Sequence, residues 1–321
     1  MARPTKFFKA SIRQILFDAF GRLRSGWRFL VFLFLFLIFS TAGGAAVYVL
    51  IVNVPIGFDK KSVLFFLLGN LVSFLWAVLI GWFCGKFLEG LPFRALGFWF
   101  TENWLKDLLS GLALGAVAML LAALITIIFG GLSFQFNQTV PASAVFFTLG
   151  VSLLVFIIGA AFEEVLFRGY VLQTFSRSGL AWFAIVLTSV FFAIGHRNNP
   201  NAGYISLINT LLAGLWFSAA YLKTRTLWLA FGLHLMWNWV QGAILGIEVS
   251  GIKELTTAPL FREVDAGPAW LTGGDYGIEG SVGCTIALVF SIVLIWFLPI
   301  FKPTEEMLLL TSEKKRADAR G

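Results

Sequence analysis

The chain has 321 residues, of which 59% are hydrophobic and only 13% are charged, and its formal net charge is +7. This composition excludes an ordinary soluble globular protein and places the chain in the membrane class. The surplus of Lys and Arg does not indicate a nucleic-acid partner, because it follows the alternation of apolar runs and connecting segments. The two cysteines, Cys84 and Cys284, are too few to indicate a disulfide framework or a metal cluster.

The N-terminal segment, residues 1–28, is basic and precedes the first long apolar run. Its apolar residues recur at helical spacing, and they are Phe8, Ile12, Ile15, Leu16, Phe20 and Leu23. This spacing predicts an amphipathic helix on the cytoplasmic leaflet, and a plain basic topogenic tail is the alternative. No cleavable signal peptide is expected, because the first apolar run is longer than a signal h-region.

Apolar runs long enough to cross a hydrocarbon core of about 30 Å follow along the chain. There are eight of them: 29–52, 62–84, 106–130, 143–167, 180–196, 204–222, 227–246 and 281–301. The sequence therefore predicts an all-α polytopic membrane protein, a bundle of about eight transmembrane helices over 29–301 in contact with the lipid bilayer. The fourth helix is expected to continue to about residue 176. The 247–280 loop is the one sizeable segment between spans, and 302–321 form a C-terminal tail.

Basic residues are distributed unequally between the two sides of this predicted topology. Segments on the side of the termini hold 19 Lys and Arg residues, and those on the other side hold 5. The positive-inside rule then predicts a multi-pass protein of the plasma membrane with both termini and the 302–321 tail in the cytoplasm.

Charged residues inside a predicted span occur in "IGAAFEEVLFRGYVLQ", residues 158–173. Of the seventeen acidic residues, only Glu163 and Glu164 lie well inside a span. Adjacent helical residues point about 100° apart, whereas Glu164 and Arg168 lie on one face and can pair. Glu163 is left without a partner on its own helix. Because an isolated charge in the bilayer is costly, Glu163 is a candidate functional residue.

The two histidines of the chain lie in or at the end of later spans. In "FFAIGH", Phe192 and His196 are four residues apart, so the aromatic ring can pack against the imidazole. In "HLMWN", His234 and Asn238 have the same spacing, so two hydrogen-bond donors can point at one place, which suits a developing oxyanion. At about 1.5 Å rise per residue, these side chains and Glu163 lie at similar depths. We therefore expect them to meet in one cavity.

These residues resemble the type II CAAX prenyl endopeptidases and their bacterial relatives, the CPBP intramembrane proteases, which include lysostaphin-resistance-protein-A-like members. The family pattern is Glu-Glu-x-x-x-Arg, then Phe-x-x-x-His, then His-x-x-x-Asn or Asp, and here it reads "EEVLFRG", "FAIGH" and "HLMWN". One such motif is a weak signal, but the ordered set of three is strong. The resemblance covers roughly 90–240, which implies a protease-like core of about 90–246, and it identifies the chain as a bacterial member.

The resemblance implies an intramembrane endopeptidase that hydrolyses a peptide bond of a membrane-embedded or membrane-associated protein or peptide, with prenylated CAAX-type proteins as one substrate class. It implies that Glu163 is the general base, that His196 polarises the attacking water, and that His234 with Asn238 stabilises the oxyanion. The resemblance also implies that Glu164, Arg168 and Phe192 support these catalytic residues. No cofactor or metal is implied.

Two alternatives remain open from the residues alone. A zinc-dependent membrane protease would use Glu163, His196 and His234 as ligands, since two histidines and a glutamate form an accepted catalytic zinc site. The chain lacks the His-Glu-x-x-His helix that usually accompanies such a site. A non-enzymatic membrane protein, such as a bacteriocin-immunity factor, a scaffold or a proton-coupled carrier, would use the same residues for packing or as a relay.

Overall fold

The computed structural model describes residues 12–18, 21–55, 57–255 and 257–312. Its long helices are α2 (Ser25–Val52), α3 (Phe58–Glu89), α4 (Trp104–Ile128), α5 (Ala142–Glu164), α7 (Ala181–His196), α8 (Tyr204–Thr224), α9 (Trp228–Trp239) and α11 (Val282–Phe297). The short helices are α1 (Ile12–Leu16), α6 (Leu172–Arg177), α10 (Ala269–Thr272) and α12 (Glu305–Thr311). The prediction of an all-α polytopic bundle is confirmed.

Each of the eight predicted spans overlaps one of the long helices. In the part of the chain that the structure describes, five helical segments are long and apolar enough to cross a membrane, and the fourth, Ala142–Arg177, includes α5 and α6. The remaining three predicted spans correspond to shorter helices, namely α7, α9 and α11, with 16, 12 and 16 residues. Helices α7 and α11 are apolar, and α9 continues as a π-helix to Ile244, so helix covers most of its predicted span. Helix α11 ends at Phe297, four residues before its predicted end. The chain is therefore a multi-pass membrane protein.

Large hydrophobic side chains are exposed on the outside of the bundle. Examples along the chain are Phe34, Leu50, Phe87, Ile128, Phe146, Trp182 and Phe297. In water such a surface would associate, whereas in a bilayer it faces acyl chains. The exposed faces therefore agree with a lipid environment.

The predicted N-terminal amphipathic helix is only partly described. Helix α1 covers Ile12–Leu16 and buries none of its residues. The chain then reverses, with Phe17 bridged to Leu23, before α2 begins at Ser25. A continuous helix through residue 23 is therefore wrong, because this reversal interrupts it. Phe8 and Phe20 lie outside the described residues.

Helices α4 and α9 cross at close range through small residues. A Cβ atom at Gly111 or Gly115 of α4 would collide with the backbone of Leu229 or Leu233 in α9, and one at Gly232 would collide with α4. Without a hydrophobic driving force between helices in lipid, close backbone packing of this kind supplies much of their association. This crossing fixes α9, the helix that carries His234.

A buried cluster of charges joins α2, α3 and α6. The Glu89 carboxylate accepts hydrogen bonds from Arg177 Nε and Nη2, both at 2.9 Å, and from Thr174 Oγ1 at 2.9 Å. Arg28 Nη1 lies 2.6 Å from Glu89 Oε2. All three charged side chains are at most 2% exposed. The cluster links the first two spans to the segment that follows the predicted site.

Two strands were missed by the sequence analysis. Strand β1 (Leu132–Phe136) pairs antiparallel with β2 (Phe261–Asp265) of the 247–280 loop, with Leu132 opposite Asp265. The strands are five residues long and lie 125 or more positions apart in the chain, so no hairpin turn signals their pairing. This small sheet attaches the loop to the end of α4.

Within this loop, Glu263 of β2 contacts the carboxylate of Glu248. Burial, followed by the repulsion and hydrogen bond of Glu248, raises the pKa of Glu263 from 4.5 to about 8. Between these values the folded protein keeps a proton that the unfolded chain has lost, so raising the pH through this window lowers the free energy of unfolding.

We expect Glu263→Gln to remove this contribution, so that the variant gains stability relative to the unsubstituted protein as pH rises from about 4.5 to about 8. Thermal unfolding in detergent across this pH range measures the difference. A stability difference that does not change with pH would contradict the expectation that Glu263 keeps its proton in the folded protein.

Candidate active site

The acidic pair lies where α5 changes its helical geometry. Glu163 and Glu164 are the last two residues of α5, and the helix then widens into a π-helical segment, Val165–Val171, before α6. A second π-helical segment, Val240–Ile244, begins two residues after Asn238 on α9. Such widened turns are rare in helices and are frequent at functional sites. Two of the three helices that carry predicted site residues, α5 and α9, therefore continue into such a segment.

Glu164 is the centre of a fully buried network. Its Oε1 accepts a hydrogen bond from Arg168 Nη1 at 3.2 Å, and both side chains are 0% exposed. The same oxygen lies 3.0 Å from His234 Nδ1. Because an ionised carboxylate only accepts hydrogen bonds, Nδ1 is the protonated nitrogen of this contact. The predicted Glu164–Arg168 pair is present, and it also holds His234.

Arg168 is enclosed by backbone and aromatic rings. Its Nη2 donates to the Gly214 carbonyl of α8 at 2.9 Å. Its guanidinium carbon lies 5.1 Å from the ring centre of Phe192 and 5.2 Å from that of Phe217. Contacts between a cation and aromatic faces are strongest where water is absent, so these rings offset part of the cost of burying the guanidinium. Arg168 is not among the residues that line the cavity.

Two contacts orient the His234 ring, a stacked aromatic ring and a hydrogen bond at Nδ1. The Phe217 ring stacks on the imidazole, with centres 4.5 Å apart and planes 17° apart. With Nδ1 bonded to Glu164, the Nε2 atom points toward Glu163, whose Oε2 lies 3.6 Å away. That separation is longer than a direct hydrogen bond, and a water molecule in the adjoining cavity can contact both atoms from the side. Glu163 Oε2 has no hydrogen-bond partner among the described residues.

His196 is oriented by its own helix. Its Nδ1 lies 2.8 Å from the Phe192 carbonyl oxygen, an acceptor, so Nδ1 carries the proton and Nε2 carries the lone pair. The Phe192 ring packs against the imidazole with centres 4.7 Å apart, as the spacing predicts. The ring is therefore fixed with an acceptor nitrogen available.

One cavity of about 330 Å³ contains the four predicted catalytic side chains. Glu163, His196, His234 and Asn238 all line it, together with Phe192. Among the described residues, none forms a hydrogen bond with the Asn238 side chain, which leaves its amide available to a bound molecule. Most of the remaining wall is apolar, and it includes Phe66, Phe156, Phe162, Phe167, Trp216 and Leu288. The structure therefore places all four residues at one cavity, as their similar depths predict.

Three residues at or beside the cavity were missed by the sequence analysis. Phe217 stacks on His234, the Gly214 carbonyl accepts from Arg168, and the Glu279 carboxylate lines the cavity from the 247–280 loop. One aromatic residue among 36 phenylalanines has no distinguishing spacing. Glu279 lies in a loop, where no helical period relates it to the other site residues. Asn209 lines the cavity and also bonds the carbonyls of Glu279 and Ser281, each at 2.8 Å.

Within the described ranges, no three His, Cys, Asp or Glu side chains are grouped so as to hold a metal ion. Glu163, His196 and His234, the ligands of the zinc alternative, share the cavity wall without forming such a group.

The fold and the cavity define a multi-pass membrane protein with a polar site enclosed among its helices. Residues 145–240 match the family model described as Type II CAAX prenyl endopeptidase Rce1-like, and this confirms the resemblance over that segment. The matched segment contains all three motifs and excludes residues 90–144 of the predicted resemblance. At the level of the family, the match supports a CAAX-type intramembrane endopeptidase. No curated protein matches the chain.

Proposed function

We propose that the protein is an intramembrane glutamic endopeptidase that cleaves a membrane-associated protein or peptide, with prenylated CAAX-type proteins as one substrate class. The observation that carries the proposal is the gap of 3.6 Å between Glu163 Oε2 and His234 Nε2 at the wall of the cavity. A water molecule in the cavity beside these two atoms can contact both, and Glu163 Oε2 has no other partner among the described residues.

In the proposed reaction, Glu163 removes a proton from this water as its oxygen attacks the peptide carbonyl carbon. His196 Nε2 accepts a hydrogen bond from the same water and orients it, because its Nδ1–H is committed to the Phe192 carbonyl. The carbonyl oxygen becomes an oxyanion, and the Asn238 amide and the Nε2–H of protonated His234 donate to it. When the carbon–nitrogen bond breaks, protonated Glu163 returns the proton to the leaving amine.

The support for His234 as an oxyanion donor is its connection to Glu164. Since His234 Nδ1–H is bonded to Glu164, a donor at Nε2 requires the doubly protonated ring. The Glu164 carboxylate lies next to His234 Nδ1, and the Glu163 carboxylate lies next to His234 Nε2. Their negative charges compensate the positive charge of the imidazolium ring. Glu164, Arg168 and Phe192 are positioning residues in this proposal.

A location in the plasma membrane with both termini cytoplasmic belongs to the same proposal. Its support is the 19 to 5 distribution of Lys and Arg between the two sides of the spans.

The proposal is tested with purified protein in liposomes and a library of lipid-anchored peptides, farnesylated ones included. We expect cleavage by the unsubstituted protein and its loss in Glu163→Ala, His196→Ala and His234→Ala, with Glu102→Gln in an exposed turn as the control. Unaltered cleavage in all three variants would overturn the proposal. Full activity in EDTA is expected, whereas inhibition that zinc reverses would support the zinc alternative. A folded protein that cleaves no peptide would favour the immunity or scaffold role.

A further inference from the structure

Part of the 247–280 loop forms a wall of the catalytic cavity. Val249, Ser250, Ile252, Leu255 and Glu279 line it. All of them follow residue 240, where the family match ends. The chain therefore supplies this wall from a region that the family pattern does not specify.

The wall is attached firmly to the bundle. The Ser250 carbonyl accepts from Asn199 Nδ2 at 3.1 Å, and the Glu248 carbonyl accepts from Gln241 Nε2 at 2.6 Å. The Gly251 amide donates to the Tyr276 carbonyl at 2.9 Å, which ties the two ends of the loop together. These bonds fix the position of the loop relative to α9.

The Glu279 side chain is held by three uncharged donors. Its Oε1 accepts from Trp237 Nε1 at 3.2 Å, and its Oε2 accepts from the Ser250 amide and hydroxyl, both at 2.7 Å. Trp237 lies on α9 between His234 and Asn238, so the carboxylate is fixed relative to the proposed oxyanion donors. Hydrogen bonds from neutral groups hold the carboxylate in place and leave its negative charge uncompensated.

No basic side chain of the described chain neutralises Glu279. Its carboxylate is absent from the ion pairs formed by the described residues, and Lys253 of the same loop pairs with Glu248 at 3.3 Å and Asp275 at 3.4 Å. The lining of the cavity contains Glu163 and Glu279 but neither Lys nor Arg. A cavity with carboxylates on largely apolar walls concentrates negative potential and attracts cations.

We propose that Glu279 is a specificity residue of this cavity and that it binds a Lys or Arg side chain of the peptide substrate. This inference rests on the proposed function and names the substrate class: a membrane-associated peptide with a basic residue among the apolar residues that the cavity encloses. The basic side chain pairs with the prearranged carboxylate, while neighbouring apolar side chains contact the aromatic wall.

Binding is measured first, with the Glu163→Gln variant and a set of short lipid-anchored peptides in which each position in turn carries Lys, norleucine or Glu. At the responsive position we expect the Lys peptide to bind about tenfold or more tightly than the norleucine peptide, as a charge-assisted contact implies. Adding Glu279→Gln is expected to remove the difference, and adding Glu279→Lys is expected to favour the Glu peptide. Asp275→Asn, which removes an exposed carboxylate of the same loop, is the control and keeps the preference.

Equal binding of the Lys and norleucine peptides at every position, or a preference that survives Glu279→Gln, would overturn the inference. The same peptides are then offered to the unsubstituted protein for cleavage. If the Glu279-dependent preference appears in binding but no peptide is cleaved, the cation site stands and the proposed function is wrong. If peptides are cleaved without any Glu279-dependent preference, the proposed function stands and the specificity role is wrong.

Discussion

Glu163→Gln is expected to lower kcat for peptide cleavage by roughly 10²- to 10⁴-fold, the usual contribution of a general base, with a small change in substrate affinity. Glutamine keeps the shape and the hydrogen-bonding reach of glutamate but cannot remove a proton from water. Since Glu163 Oε2 has no partner within the described chain, the substitution breaks no hydrogen bond of the folded protein. The thermal unfolding midpoint in detergent is therefore expected to stay close to that of the unsubstituted protein.

The control is Glu102→Gln, which changes the same functional group in an exposed turn and is expected to leave kcat unchanged. A Glu163→Gln protein that remains folded and cleaves peptide at the original rate would exclude Glu163 as the base. Loss of cleavage together with loss of the folded state would instead indicate a structural role, and the unfolding measurement distinguishes the two results.

The second large effect that we expect is a loss of stability when either Glu164 or Arg168 is substituted alone. Glu164→Leu leaves the buried Arg168 without its carboxylate partner, at a cost of about 3–5 kcal/mol in the free energy of unfolding. Arg168→Met leaves Glu164 with the His234 Nδ1–H as its remaining partner and is expected to cost less. The double variant removes both charges and is expected to recover part of that loss, because apolar side chains of similar volume replace the pair while His234 Nδ1–H loses its acceptor. Denaturant titration in detergent and a double-mutant cycle measure these differences.

Peptide cleavage should not recover in the double variant. Glu164 Oε1 is the acceptor that holds His234 through Nδ1, and a leucine side chain provides no acceptor. We expect the stable double variant to cleave at least about tenfold more slowly, because loss of the carboxylate that orients a catalytic histidine slows catalysis in other hydrolases. A stable and fully active double variant would show that His234 needs no orientation by Glu164.

The surface pair between Arg94 and Glu306 serves as the matched control for this cycle. Both side chains are more than a third exposed, at 43% and 37%. Water and salt screen such a pair, so Arg94→Met and Glu306→Leu are expected to change stability by less than about 1 kcal/mol each. A surface effect as large as the buried one would contradict the assignment of the cost to burial.

The sequence by itself determined the features that depend on neighbouring residues along the chain. Apolar runs of sufficient length identified the helices that the structure contains, since a span in lipid must satisfy its backbone hydrogen bonds within itself. The spacing of four residues correctly paired Glu164 with Arg168 and Phe192 with His196, because a helix places such residues on one face. The similar depths of the four residues in the membrane predicted that they line one cavity although they lie on different helices.

Only the tertiary structure decided how these helices complete the site. The bond between His234 and Glu164 joins residues 70 positions apart, and it changes Glu164 from a self-contained partner of Arg168 into the residue that orients a histidine. Glu279 lines the cavity from the 247–280 loop, and β1 pairs with β2, a strand that follows it by more than 100 residues in the sequence. Local spacing fixes which face of a helix a residue occupies, whereas the packing of that face against another helix or loop depends on contacts throughout the chain, such as the glycine crossing of α4 and α9.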